Sequence, residues 1–130
     1  MNFNDEKIIV FKNDAVGDLT QSLKAIKNIT NTHKDKIVEI YLSERSEKFN
    51  FLINDGNVKF KKLNYDLNIF EKINLIFYLL KNKISNIYIL TPKNFYFYLP
   101  FLIKFFIFFY LFLYVCYYYI RSSLFFFNFV

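Results

Sequence analysis

Residues 7–30 constrain the fold most. An apolar run, Ile8, Ile9, Val10 and Phe11, passes through a turn, Lys12 to Gly17, into an amphipathic helix opened by Asp18. An uninterrupted apolar run suits a strand covered on both faces, as in a parallel sheet, whereas a half-exposed strand alternates. The first strand is therefore expected inside a sheet. Leu19, Leu23, Ile26 and Ile29 recur at spacings of four and three, which lays them along one helical face that packs on that sheet. The turn between them lies where open α/β sheets place their ligand sites. Gly17, one of two glycines, is expected there to adopt positive φ or to let a ligand approach the backbone. Asp18 stands where free N–H groups and the helix dipole favour a carboxylate, so its plainest role is that of a helix cap.

The segment KIIVFKNDAVGDLTQSLKAIKNI resembles the amino-terminal signature of glycosyltransferase family 9, the heptosyltransferase-type enzymes of lipopolysaccharide synthesis. Their pattern is a strand, a basic or polar residue, a small-residue loop, Gly-Asp, then a helix with regularly spaced leucines. The resemblance implies that Asp18 is the catalytic base and that Lys12 is the basic residue ending the first strand. It implies a substrate-binding loop of Lys12, Asn13, Asp14 and Gly17. It further implies a Rossmann-like, acceptor-side half of a GT-B fold and inverting transfer of a sugar, commonly a heptose. The donor would be a nucleotide diphosphate sugar and the acceptor a glycolipid at the cytoplasmic face of the inner membrane, with no further cofactor and no metal. The likeness is specific over roughly the first quarter of the chain and looser to about Pro100. It departs within the helix, where the family often has His or Thr, then Leu-Pro, and this chain has Thr20, Gln21, Ser22, Leu23 and Lys24. Contacts made there do not carry over.

The strand-and-helix unit recurs downstream. Ile37 to Leu42 reads as a second strand, and Glu44 to Asn54 as a short polar helix with Phe49, Leu52 and Ile53 facing inward. Asp55 and Gly56 mark a turn. Val58 to Leu63 carries lysines on both faces, which suits an edge strand. Asn68 with Glu71 makes a capping box, followed by a stripe of Ile69, Ile73, Ile76 and Leu80. Asn86 to Leu90 is a short strand, and Thr91 followed by Pro92 reads as an N-cap with proline in the first helical turn. Alternation of strands and helices predicts an α/β fold with a doubly wound parallel sheet over residues 1–95. The chain's 130 residues suit one domain. A GT-B enzyme needs two, and no donor-binding half is found, so the chain is expected to be inactive alone.

Residues 96–130 form an aromatic-rich apolar tail. From Phe95 onward Lys104 and Arg121 are its only charged residues. Leu99 to Ile120 is long enough to span a bilayer core, since about 20 helical residues cover ~30 Å. Lys81, Lys83, Lys93 and Lys104 would favour a cytoplasmic amino-terminal side. A genuine anchor and a frame-shifted tail stay open, ahead of a buried segment of a soluble core. The absence of Gly, Ala and Ser between Phe95 and Arg121 is unlike packed membrane helices, and the T-rich codons of its residues also suit a frame-shifted tail in an AT-rich gene. Sequencing of the locus separates the two.

Other features narrow the function classes. A net charge of +6 and a pI near 9.3 favour anionic partners, but dispersed lysines and aromatics concentrated in the tail argue against nucleic acid. One cysteine, Cys116, forms no internal disulfide and gives no metal-site spacing. His33 lies in a polar loop and reads as a surface residue. Ser43, Glu44 and Arg45 follow the second strand at its carboxyl end, where a loop could touch an acceptor, while helix capping explains Ser43 equally well. The amino terminus carries no cleavable signal pattern, and without a Gly-x-Gly the first turn lacks a dinucleotide fingerprint. The alternative function is a non-enzymatic, membrane-anchored α/β module.

Overall fold

The structure, a computed structural model, describes residues 4–127, with side-chain surroundings given for residues 6–117. It contains β1 (Asn4–Lys12), α1 (Val16–Thr32), β2 (Lys36–Leu42), a 3₁₀ segment (Glu47–Leu52), β3 (Val58–Lys62), α2 (Ile69–Lys81), β4 (Ile84–Ile89) and α3 (Asn94–Phe127). The chain divides into two units, Met1–Tyr96 and Phe97–Val130.

The first unit is an α/β fold. Its four strands pair in parallel in the order β3-β2-β1-β4. Successive strands step outward from β1 to β3, then the chain crosses back to place β4 on β1's other side. That reversal makes a topological switch point at the carboxyl ends of β1 and β4.

Burial explains why β1 is interior. Ile8, Ile9, Val10 and Phe11 are all fully buried, as their uninterrupted apolar run requires. Ile8 and Val10 join Val38, Ile40 and Leu42 of β2 under Leu19, Ile26 and Ile29 of α1, with Leu23 packed against them. The alternate residues meet the other face. There Phe11 lies 5.2 Å from Tyr41 and stacks on Tyr96 at 4.7 Å between ring centroids, and α2 buries Leu75, Ile76 and Leu79.

Several local expectations are met. Asn68 and Glu71 close both halves of a capping box, satisfying donors that would otherwise lack a partner at the start of α2. β3 lies at the sheet edge, as its lysines suggest. The apolar runs assigned to β3 and β4 stop one residue beyond the strands, yet Leu63 N–H still donates to Leu42 O at 2.8 Å and Leu90 N–H to Phe11 O at 3.0 Å.

Other expectations are corrected. Ala15, not Asp18, is the N-cap of α1, with no side-chain cap, and Asp18 falls within the first turn. Gly17 is helical and does not adopt positive φ, so that freedom is not what the turn uses. The segment after β2 is a 3₁₀ helix with Leu52 42% exposed. The buried stripe of α2 is Leu75, Ile76 and Leu79, leaving Ile69 and Ile73 exposed. Tertiary packing has selected one of two apolar faces. Thr91 caps no helix: α3 begins at Asn94, and the Thr91 hydroxyl instead donates to Phe11 O at 3.4 Å.

The second unit is the continuation of α3. Asn94–Tyr117 is 24 residues long with a mean hydropathy of 2.2, long and apolar enough to cross a membrane, and almost none of it is buried. Phe101, Phe108 and Tyr110 are each more than 70% exposed. Pro100 lies inside the helix.

Candidate functional site at the carboxyl rim

The four parallel strands deliver their following loops to one rim, and the β1–α1 loop is the hub. Lys12, the last residue of β1, is 2% exposed and pairs with Asp14 Oδ2 at 2.6 Å. Its Nζ also donates to Leu90 O beyond β4 at 3.3 Å. Asn13 Nδ2 donates to Asn64 O after β3 at 2.9 Å, while Asn13 Oδ1 accepts from Tyr96 Oη at 2.8 Å. Ser43, after β2, donates its hydroxyl to Asp14 O at 2.9 Å and lies 3.0 Å from the Ser46 hydroxyl. One loop is thus tied to the exits of the other three strands.

These bonds assign the rim its rigidity. Lys12, Asn13 and Asp14 are buried, and as folded their polar groups serve the protein's own loops. Buried charge is retained only when paired, which Lys12 and Asp14 achieve with each other. Asp14 Oδ1 is buried and lacks a hydrogen-bond partner.

Asp18 behaves differently. It lies in the first turn of α1, is exposed, and its carboxylate has no hydrogen bond or ion pair among the described residues. Beside it Gly17 is exposed too, and a Cβ built there meets nothing within 4 Å. The rim therefore offers a free carboxylate next to open backbone, above a loop braced by Lys12, Asn13 and Asp14. Of the five residues singled out in the sequence, two face solvent and three lie beneath them.

A second charged cluster, unmarked in the sequence reading, sits on the α2 face of the sheet. Glu39, in the middle of β2, is 2% exposed. Lys7 of β1 and Lys61 of β3 each approach it at 3.1 Å, and Tyr78 of α2 donates to it at 2.6 Å. Tyr78 Oη in turn accepts from Lys7 at 3.0 Å and Lys61 at 2.7 Å. Burial pushes the Glu39 carboxyl up, but the hydrogen bonds from Tyr78, Lys61 and Lys7 outweigh it and hold the group below its ordinary value. The Tyr78 bond raises Lys7 against the opposing effect of burial, with Glu39 adding to the rise. Burial, then the Glu39 charge, raises the Tyr41 hydroxyl strongly. The available signal was a carboxylate at an inward β2 position, with lysines on both neighbouring strands.

Among the described residues no group of three or more His, Cys, Asp or Glu side chains is placed to hold a metal ion. His33 Nε2 lies 2.9 Å from the Tyr88 hydroxyl, far along the chain from the rim loop. Arg45 lies 5.6 Å from the Tyr65 ring centroid, and Glu44 pairs with Lys62 at 3.0 Å. Comparisons with protein-family models, curated proteins and solved structures gave no match to this chain.

Proposed function

We propose that the rim is the acceptor side of a sugar transferase of the heptosyltransferase type, held at a membrane by α3. The single observation that carries this reading is the Asp18 carboxylate, free and exposed in the first turn of α1 at the end of an interior strand. Resemblance of residues 7–29 to the amino-terminal signature of glycosyltransferase family 9 supplies the reaction class. Asp18 takes the proton from an acceptor hydroxyl as that oxygen attacks the anomeric carbon of a nucleotide diphosphate sugar. The carbon–oxygen bond to the diphosphate breaks, and configuration inverts. Lys12, Asn13 and Asp14 keep the loop in place, and Gly17 leaves room for the sugar ring. Groups outside this rim, on a separate donor-binding lobe, neutralise the diphosphate, so the rim's own task is to bind the acceptor.

The test is equilibrium binding of a phosphorylated glycolipid acceptor to the full chain in detergent. Saturable binding, weakened by Gly17→Val and retained in Asp18→Asn, supports the reading. Absence of saturable binding overturns it. A second reading, a membrane-anchored α/β module without enzymatic chemistry, is favoured by the exposed apolar length of Asn94–Tyr117. It expects association with vesicles and no acceptor binding. In both readings the basic residues on the amino-terminal side of α3 favour a cytoplasmic position for the α/β unit.

A further inference from the structure

The chain leaves the sheet for its apolar helix at the carboxyl rim, and the surface around that exit is both apolar and basic. α2 starts from the same rim after β3, so its first residues lie there: Ile69 is 67% exposed and Phe70 74%. The start of α3 is held beside them. Lys93 Nζ reaches Asp66 Oδ1 at 3.2 Å and sits 3.3 Å from the Tyr65 ring centroid, while Lys72 Nζ lies 5.5 Å from the Phe95 ring centroid.

Between the first turn of α2 and the start of α3, charge is positive once the pairs are removed. Asp66 is taken by Lys93, and Glu71 is spent on Asn64 and on the capping box with Asn68. Arg45 and Lys72 form no ion pair among the described residues, and each meets only an aromatic ring. Exposed Ile and Phe side chains with uncommitted cations make up an interfacial contact, in which apolar groups enter the headgroup boundary while the cations meet anionic lipid.

We propose that Ile69 and Phe70, flanked by Arg45 and Lys72, form a second contact of this protein with anionic phospholipid, holding the carboxyl rim against the bilayer surface. The proposal rests on the reading of α3 as a membrane anchor. What selects lipid over a protein partner is the tether: Lys72 meets Phe95 in the opening turn of a membrane-long helix, so the surface that helix enters is the one this patch is tied closest to along the chain. A substrate for the rim then arrives along the membrane plane.

The chain contains no tryptophan, so a Phe70→Trp variant carries one reporter at the rim. An Asn31→Trp variant places a reporter at the exposed carboxyl end of α1, at the opposite edge of the sheet. Both full-length chains are reconstituted in phosphatidylcholine vesicles holding about one-third phosphatidylglycerol. The expected result is blue-shifted emission and quenching by lipids brominated on their acyl chains for the Phe70→Trp reporter alone. That quenching falls in pure phosphatidylcholine and when Arg45→Gln and Lys72→Gln are added. Equal emission and quenching of the two reporters overturns the proposal. A blue shift that grows with protein concentration in detergent assigns the patch to a second copy and overturns it as well. Flotation separates the two levels: a chain that does not float with vesicles refutes the anchor, and with it this contact. A floating chain whose Phe70→Trp reporter stays unquenched refutes the contact alone.

Discussion

Lys12 and Asp14 close a 2.6 Å ion pair beneath the rim, while Asp18, one helical turn further on, keeps its carboxylate in solvent. Two aspartates four residues apart thus serve different physical ends. One stabilises a loop, and the other is available to a ligand.

Asp14→Asn removes a charge from a pair whose side chains are 2% and 7% exposed. Lys12 is then left charged and buried with only Leu90 O as a partner. Breaking such a pair costs about 3–5 kcal/mol, so the urea midpoint of the full chain in detergent is expected to fall sharply. An unchanged midpoint would show that the pair does not brace the rim.

Asp18→Asn is expected to leave the fold intact. Its stability cost is limited to the favourable charge at the helix start, ~0.3–1 kcal/mol. In an assay supplied with a donor-binding lobe, nucleotide diphosphate sugar and glycolipid, transfer is expected to disappear. Turnover equal to that of the unmodified chain would remove Asp18 from the role of base.

Glu39 sets an acid limit on stability. Its folded carboxyl lies below the ordinary 4.5, so the unfolded chain binds this proton more tightly than the native one. The stabilisation is full above about pH 4.5 and drains as pH falls through the lowered native value. Glu39→Gln is expected to flatten that part of the acid limb, and to cost about 1–3 kcal/mol at neutral pH by weakening acceptance from Tyr78 and the two lysines. Urea midpoints between about pH 7 and about pH 3 check both effects. Lys7 acts in the opposite direction. Raised above 10.5, it contributes fully below that value and loses its contribution as pH climbs through the raised one.

Asn68→Ala opens the capping box at the start of α2, where Asn68 Oδ1 accepts from Glu71 N–H at 2.9 Å. A loss of ~1 kcal/mol is expected, read as a lower thermal midpoint with loss of helical ellipticity.

Local signals were legible in the residues, and choices made by packing were not. The apolar run Ile8–Phe11, the α1 stripe and the Asn68–Glu71 box each depend on near neighbours, and each is realised. α2 carries apolar residues on more than one face, so periodicity alone did not select Leu75, Ile76 and Leu79 over Ile69 and Ile73. Thr91 resembled a cap, but the β4 exit needed its hydroxyl for Phe11 O. At the rim, the spacing of Lys12 and Asp14 placed them near Asp18 without revealing their burial, because the bonds that bury them come from Ser43, Asn64, Leu90 and Tyr96, far along the chain. Glu39 escaped for the same reason. Its partners are distributed over β1, β3 and α2.

Tyr96 is bonded to Asn13, the residue between the members of the Lys12–Asp14 pair, and its ring is stacked on Phe11. It also belongs to the opening turn of α3. The hydroxyl–amide link and the ring stack together make Tyr96 the residue through which the opening turn of α3 is fastened both to the β1–α1 loop and to β1.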